Sequence, residues 1–142
     1  MGRSNRTTNP DFPREAYMGP RQLAYFHAKL TAWRKALLSR QRLSLAELGE
    51  NDERAADPID QGVAETSRQQ ELDRRLRSRR LLQQIDAALV RISDGSYGYC
   101  LESGEEIGLE RLEALPIATL CVEMQEQRER RTRSRRLDLG NG

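Results

Sequence analysis

With 142 residues, only 37% of them hydrophobic and 32% charged, the chain has the length of one modest domain but too little apolar content for a large globular core. Its 24 basic and 22 acidic side chains leave a net charge of +2, too near balance to argue for nucleic acid. The charge is segregated, however: the only lysines are Lys29 and Lys35, several arginines lie in the run RERRTRSRR from Arg128 to Arg136, and acids gather at 47–53 and 102–113.

In chain order, residues 1–15 read as a flexible N-terminal tail that docks or stays disordered, with Asn9-Pro10 and Phe12-Pro13 opposing a helix. The tail lacks the apolar stretch of an export signal, and no run of about 18 apolar residues exists to span a bilayer, so a cytoplasmic protein is expected. Residues 16–93 read as a coiled-coil hairpin with its tip near 50–60. Leu23, Phe26, Leu30, Trp33 and Leu37 follow the alternating three-and-four spacing of a coiled-coil seam, which Leu45 and Leu48 extend toward Gly49. A second pattern runs from Pro58 to about Ile92, with Leu72, Leu76, Leu82, Ile85, Leu89 and Ile92 in its seam and a polar interruption around Arg75, Ser78 and Arg79. Two helices of roughly 30 residues, each roughly 45 Å long and joined by a short polar tip, fold back most simply as an antiparallel pair. Ser93-Asp94-Gly95-Ser96 carries the turn chemistry that stops the second helix. A compact lobe over 94–122, punctuated by Gly98, Gly104, Gly108 and Pro116, comes next. Thr119 is a candidate cap for a final helix and basic tail over 120–142. The fold class expected is therefore all-α, and no internal repeat is visible.

At the tip, ADPIDQG supplies Asp57 as a candidate N-cap, Pro58 at the first helical position and Asp60 in the first turn, where its charge favours the helix N-terminus. Capping needs no further function and excludes none, since it leaves two carboxylates at the point of a long hairpin. In the lobe, Cys100 is followed at metal-knuckle spacing by Ser103, and Cys121 by Met124. A hydroxyl and a thioether are weak donors to Zn²⁺, so no bound zinc is expected. His27, the single histidine, lies on a helical surface far from these positions in sequence. The arginine run lacks interleaved aromatics, and no Ser/His/Asp set, phosphate-cradling glycine loop or acid/base cleft is present. The chain is not read as an enzyme.

Taken together, DGSYGYCLESGEEIGLERLEALPIATLCVEM, the tip DPID and QLAYFHAKLTAWRKAL in the first helix resemble the bacterial DksA/TraR family over about residues 15 to 130. Cys100, Ser103, Cys121 and Met124 occupy the family frame C-x-x-C-x17-C-x-x-C, with its second and fourth ligands changed. The resemblance implies a transcription regulator that binds RNA polymerase directly, passing its hairpin down the secondary channel toward the catalytic centre, without sequence-specific DNA binding or membrane attachment and as a monomer. The family's tip motif is D-x-x-D-x-A, for which this chain has Asp57, Asp60 and then Gly62.

The family acts with guanosine tetraphosphate, held by basic residues whose positions here correspond to Gln84, Leu115 and Gln125, while Leu81 and Arg111 keep the family's character. Lost cationic contacts of this kind are worth about 1.5–3 kcal/mol each, so the resemblance implies weak or no dependence on the alarmone. Ile107, Leu109, Leu112, Leu115, Ile117 and Leu120 are the expected apolar replacement for a metal in the lobe. Two other readings remain open: a thiol redox sensor acting through a Cys100–Cys121 pair, and an arginine-rich nucleic-acid binder.

Overall fold

The structure, a computed structural model, describes residues 12–54 and 58–140; the side chains of residue 48 and of residues 50–61 lie outside that description. Among the described residues there are four helices: α1 (Pro20–Arg54), α2 (Pro58–Asp94), α3 (Leu109–Ala114) and α4 (Val122–Gly140). The fold is all-α, matching the expected class. The two long helices have 35 and 37 residues, longer than the spacing alone suggests. Each opens on a proline, whose φ is already helical and whose missing N–H costs nothing in a first turn.

The chain divides into two compact units, Lys29–Val90 and the segments on either side of it. In the first, the buried Leu30 and Leu37 of α1 and Ile85 and Ala88 of α2 form the apolar seam. Arg34 Nε donates to Asp86 Oδ1 at 2.8 Å across it. Farther along, residues 37–47 of α1 line one recess with residues 71–81 of α2, so the two helices run antiparallel. Here one expectation fails. Leu45, Leu72 and Leu76 are 59%, 50% and 53% exposed, because the facing positions are taken by the half-buried Ser44, Arg75 and Ser78. The polar interruption between the two leucine blocks continues to the end of the recess.

In the second unit the core consists of Phe26, Tyr97, Leu112, Ile107, Ala118, Leu120 and both cysteines. Tyr97 packs against Phe26 at 5.6 Å between ring centroids, and its hydroxyl donates to the Pro116 carbonyl at 2.8 Å. Residues 12–15 are docked, one of the two arrangements open to the tail. Phe12 stacks on Tyr25 and Phe26 at 5.2 and 5.8 Å. Gln22, only 2% exposed, donates from Nε2 to the Pro13 carbonyl at 3.0 Å and accepts from the Met18 amide at 2.9 Å. A buried amide side chain is tolerable when its donors and acceptor are satisfied in this way.

The stop after α2 forms as its residues suggest. The amides of Gly95, Ser96 and Tyr97 all point at the Arg91 carbonyl, at 3.0, 3.0 and 3.1 Å, with Gly95 at φ 86°. Ser96 also donates to Asp94 through both its amide and its hydroxyl, at 2.9 and 2.5 Å, and the hydroxyl bond is the first reason the Asp94 carboxyl titrates below its usual range. Thr119 does not cap the final helix. α4 begins at Val122, and Thr119 spends its carbonyl on the Leu101 amide at 2.8 Å.

Candidate functional site: the degenerate finger and the hairpin tip

The lobe holds a knuckle built by its backbone. Cys100 N donates to the Glu105 carbonyl at 2.7 Å, Gly104 N returns to the Cys100 carbonyl at 2.9 Å, and Ile107 N reaches the Gly98 carbonyl at 2.8 Å. Tyr99 and Glu106 form an isolated antiparallel bridge between the two arms. Gly104, at φ 73°, makes the turn that an L side chain rarely adopts.

Three of the four knuckle positions touch one another. The Ser103 amide donates to Cys100 Sγ at 3.5 Å, and the Ser103 hydroxyl contacts Cys121 Sγ at 3.7 Å. Both thiols are free and buried. Burial alone would raise the Cys100 pKa, but hydrogen bonds from the Ser103 side chain and from the backbone of Cys121, Ser103 and Glu102 outweigh it and bring the thiol down to about 6. As a metal site the donor set fits poorly: two thiolates face a neutral hydroxyl and a thioether, where structural zinc uses four Cys or His ligands. Among the described residues, no group of three or more His, Cys, Asp or Glu is placed to hold a metal ion. His27 is exposed on α1.

Tyr17 clamps the lobe through its hydroxyl, a role for which its own sequence surroundings carry no signal. Its hydroxyl donates to the Gly98 carbonyl at 2.6 Å and accepts from the Gly108 amide at 2.9 Å, joining both ends of the knuckle. Met18 beside it has a positive φ of 54°, and a Cβ at Gly98 would lie 2.7 Å from Met18 Cγ. Gly98 itself was the available signal, since glycine is the residue used where another segment approaches the backbone closely.

Gln84, Leu115 and Gln125, the positions that the resemblance assigns to phosphate contacts, are polar or apolar, but not cationic. Gln84 is exposed on α2. Gln125 donates to Glu129 at 3.1 Å. Leu115 is 40% exposed, so it does not supply the lobe packing expected of it. The core there is closed instead by Tyr97 and Ala118 beside Ile107, Leu112 and Leu120, while Leu109 and Ile117 are half-buried. Arg111 turns inward, its Nε on the Leu120 carbonyl at 3.0 Å. Leu81 is half-buried in the hairpin. Part of the arginine run is locally balanced: Arg128 pairs with Glu102 at 2.7 Å and Arg130 with Glu126 at 3.6 Å.

At the tip, Asp57 lies outside the described residues, as does the side chain of Asp60, whose backbone is in the first turn of α2. Gly62 is exposed, and a Cβ added there would meet nothing within 4 Å.

Comparison with known proteins fits this arrangement. Residues 22–92 match the family described as DnaK suppressor protein DksA, N-terminal domain, and residues 95–130 match the prokaryotic dksA/traR C4-type zinc finger. The chain is 50% identical over 124 residues to the RNA polymerase-binding transcription factor DksA of Caulobacter vibrioides (strain NA1000 / CB15N), covering 87% of each. It is 37% identical over 111 residues to the protein of the same description in Escherichia coli (strain K12), covering 78% of this chain and 74% of that one. The solved structure of transcription factor DksA2 from Pseudomonas aeruginosa superposes with a TM-score of 0.78 at 41% identity, covering 85% of this chain and 93% of that one. Helical hairpin and knuckle together define a coiled-coil protein with a zinc-finger-type lobe. The chain belongs to the DksA/TraR family.

Proposed function

We propose that the chain is a transcription regulator that binds RNA polymerase directly, enters its secondary channel with the α1–α2 hairpin, and modulates initiation through the tip residues Asp57 and Asp60. The observation that carries this reading is 50% identity, over 87% of both chains, to a relative described as an RNA polymerase-binding transcription factor. The antiparallel pairing of α1 and α2 supports it, since the acidic sequence around Asp57 and Asp60 lies at the junction of the two helices in the chain, and Gly62 beyond it is exposed, with open space around it.

The lobe works without zinc in this reading. Structural zinc contributes about 10–16 kcal/mol in peptide fingers, and the apolar core around Tyr97 and Leu112, together with the Tyr17 clamp, stands in its place. Response to guanosine tetraphosphate is weak or absent, since Gln84, Leu115 and Gln125 offer no cation. Run-off transcription from a ribosomal promoter tests the whole. The protein changes the yield, Asp60→Asn removes the change, and the alarmone adds little; an effect that survives Asp60→Asn intact refutes the tip mechanism.

A thiol redox role takes second place, favoured by the lowered Cys100 thiol. Peroxide would take two electrons and two protons from Cys100 and Cys121, forming the disulfide and water. Mass spectrometry of peroxide-treated protein, paired with transcription assays, separates the readings.

A further inference from the structure

The polar stretch of the hairpin encloses a recess of about 480 Å³ between α1 and α2. Four arginines line it, Arg40, Arg74, Arg75 and Arg77, against two acids, Glu47 and Glu71. Arg75 Nη2 and Ser44 Oγ are both buried and have no hydrogen-bond partner among the described residues. That is costly, because a buried donor that has lost water and gained nothing destabilises the fold, more so when it is charged. Neither acid answers Arg75: Glu71 lies 3.6 Å from Arg74 instead. Leu37 and Leu81 wall one end of the recess, and low-dielectric walls strengthen any charge interaction beside them.

We infer that this recess binds a phosphate-class oxyanion, with Arg75 as its central donor and Ser44 opposite. A tetrahedral anion accepts from a guanidinium and a hydroxyl at once, and it neutralises the arginine excess as water cannot. The volume admits pyrophosphate or the phosphate end of a nucleotide. The site is separate from Gln84, Leu115 and Gln125, and it does not depend on polymerase binding.

The test uses the full chain, titrated calorimetrically and melted with sodium phosphate, pyrophosphate and ATP against sodium chloride at matched ionic strength. One pyrophosphate per chain is expected, with a melting temperature raised above that in chloride. Arg75→Met weakens binding by about tenfold or more, the loss of one charge-assisted contact, and Ser44→Ala weakens it less. Circular dichroism checks that each variant keeps its helices; should Arg75→Met lose them, Arg75→Lys and Ser44→Ala carry the comparison. ATP binding tighter than pyrophosphate assigns a nucleotide source, and equal affinity an inorganic one. Equal stabilisation by chloride, or binding unchanged in the folded Arg75 and Ser44 variants, overturns the inference.

Discussion

The Tyr17 hydroxyl donates to the Gly98 carbonyl at 2.6 Å across a sequence separation of 81 residues. Because the same oxygen accepts from Gly108 N at 2.9 Å, removing it strands one carbonyl and one amide. Tyr17→Phe is expected to cost about 1–3 kcal/mol, measured by urea denaturation. For comparison, Arg34→Ala breaks an ion pair whose partners are both more than a third exposed and costs less than about 1 kcal/mol.

That hydroxyl also sets an alkaline limit. Burial raises the Tyr17 pKa from 10.0 to about 12, and burial raises that of Tyr97 as well. The folded state therefore holds protons that the unfolded chain releases. The stabilisation is complete below pH 10 and is lost as pH rises from 10 toward the folded values. Unfolding free energy should fall across that window, and Tyr17→Phe should flatten the fall near its beginning.

Two glycines with the same backbone sign should respond differently. Gly98 has φ 92° and no room for a Cβ beside Met18, whereas Gly104 has φ 73° and open space. Gly98→Ala is expected to cost more than Gly104→Ala, which carries only the conformational penalty of about 1–2 kcal/mol. Thermal melts of the two variants decide it; equal losses would remove the steric argument.

Metal independence has a direct measurement. Chelator should leave the melting temperature of the purified protein unchanged, and elemental analysis should find no stoichiometric zinc. The double variant S103C/M124C restores four thiols at knuckle spacing and should gain both zinc binding and a chelator-sensitive melt. One zinc per chain in the unaltered protein would sink the proposal.

At the tip, Gly62→Ala fills empty space on an exposed helical turn. It should stiffen α2 there by about 1 kcal/mol, slow amide exchange around residue 62 and raise transcriptional potency.

Much of this architecture was legible because it is local. Pro58 opens the second helix and Gly95 closes it, and the three-and-four spacing picked out Phe26, Leu30 and Leu37. What failed was non-local. Leu72 and Leu76 fit the seam of their own helix, but the positions of α2 turned to the recess there are Arg75 and Ser78, with Ser44 of α1 across from them. Gln22 is polar by type and carries no sequence signal of burial, yet the fold-back of Pro13 and Met18 buries it. Leu115 was assigned to packing on hydrophobicity alone, which says nothing about which way a six-residue helix ends. Asp57 and Asp60 rest on sequence.

The Tyr17 clamp has a consequence for how the protein is made. On a ribosome the first residues emerge long before Gly98 and Gly108, so the lobe cannot lock until the chain up to Gly108 has left the exit tunnel. Such long-range closures are the slow steps of folding. The knuckle is therefore a late-sealing joint rather than a portable module, and residues 94–140 expressed by themselves would leave the ribosome without the side chain that fastens them.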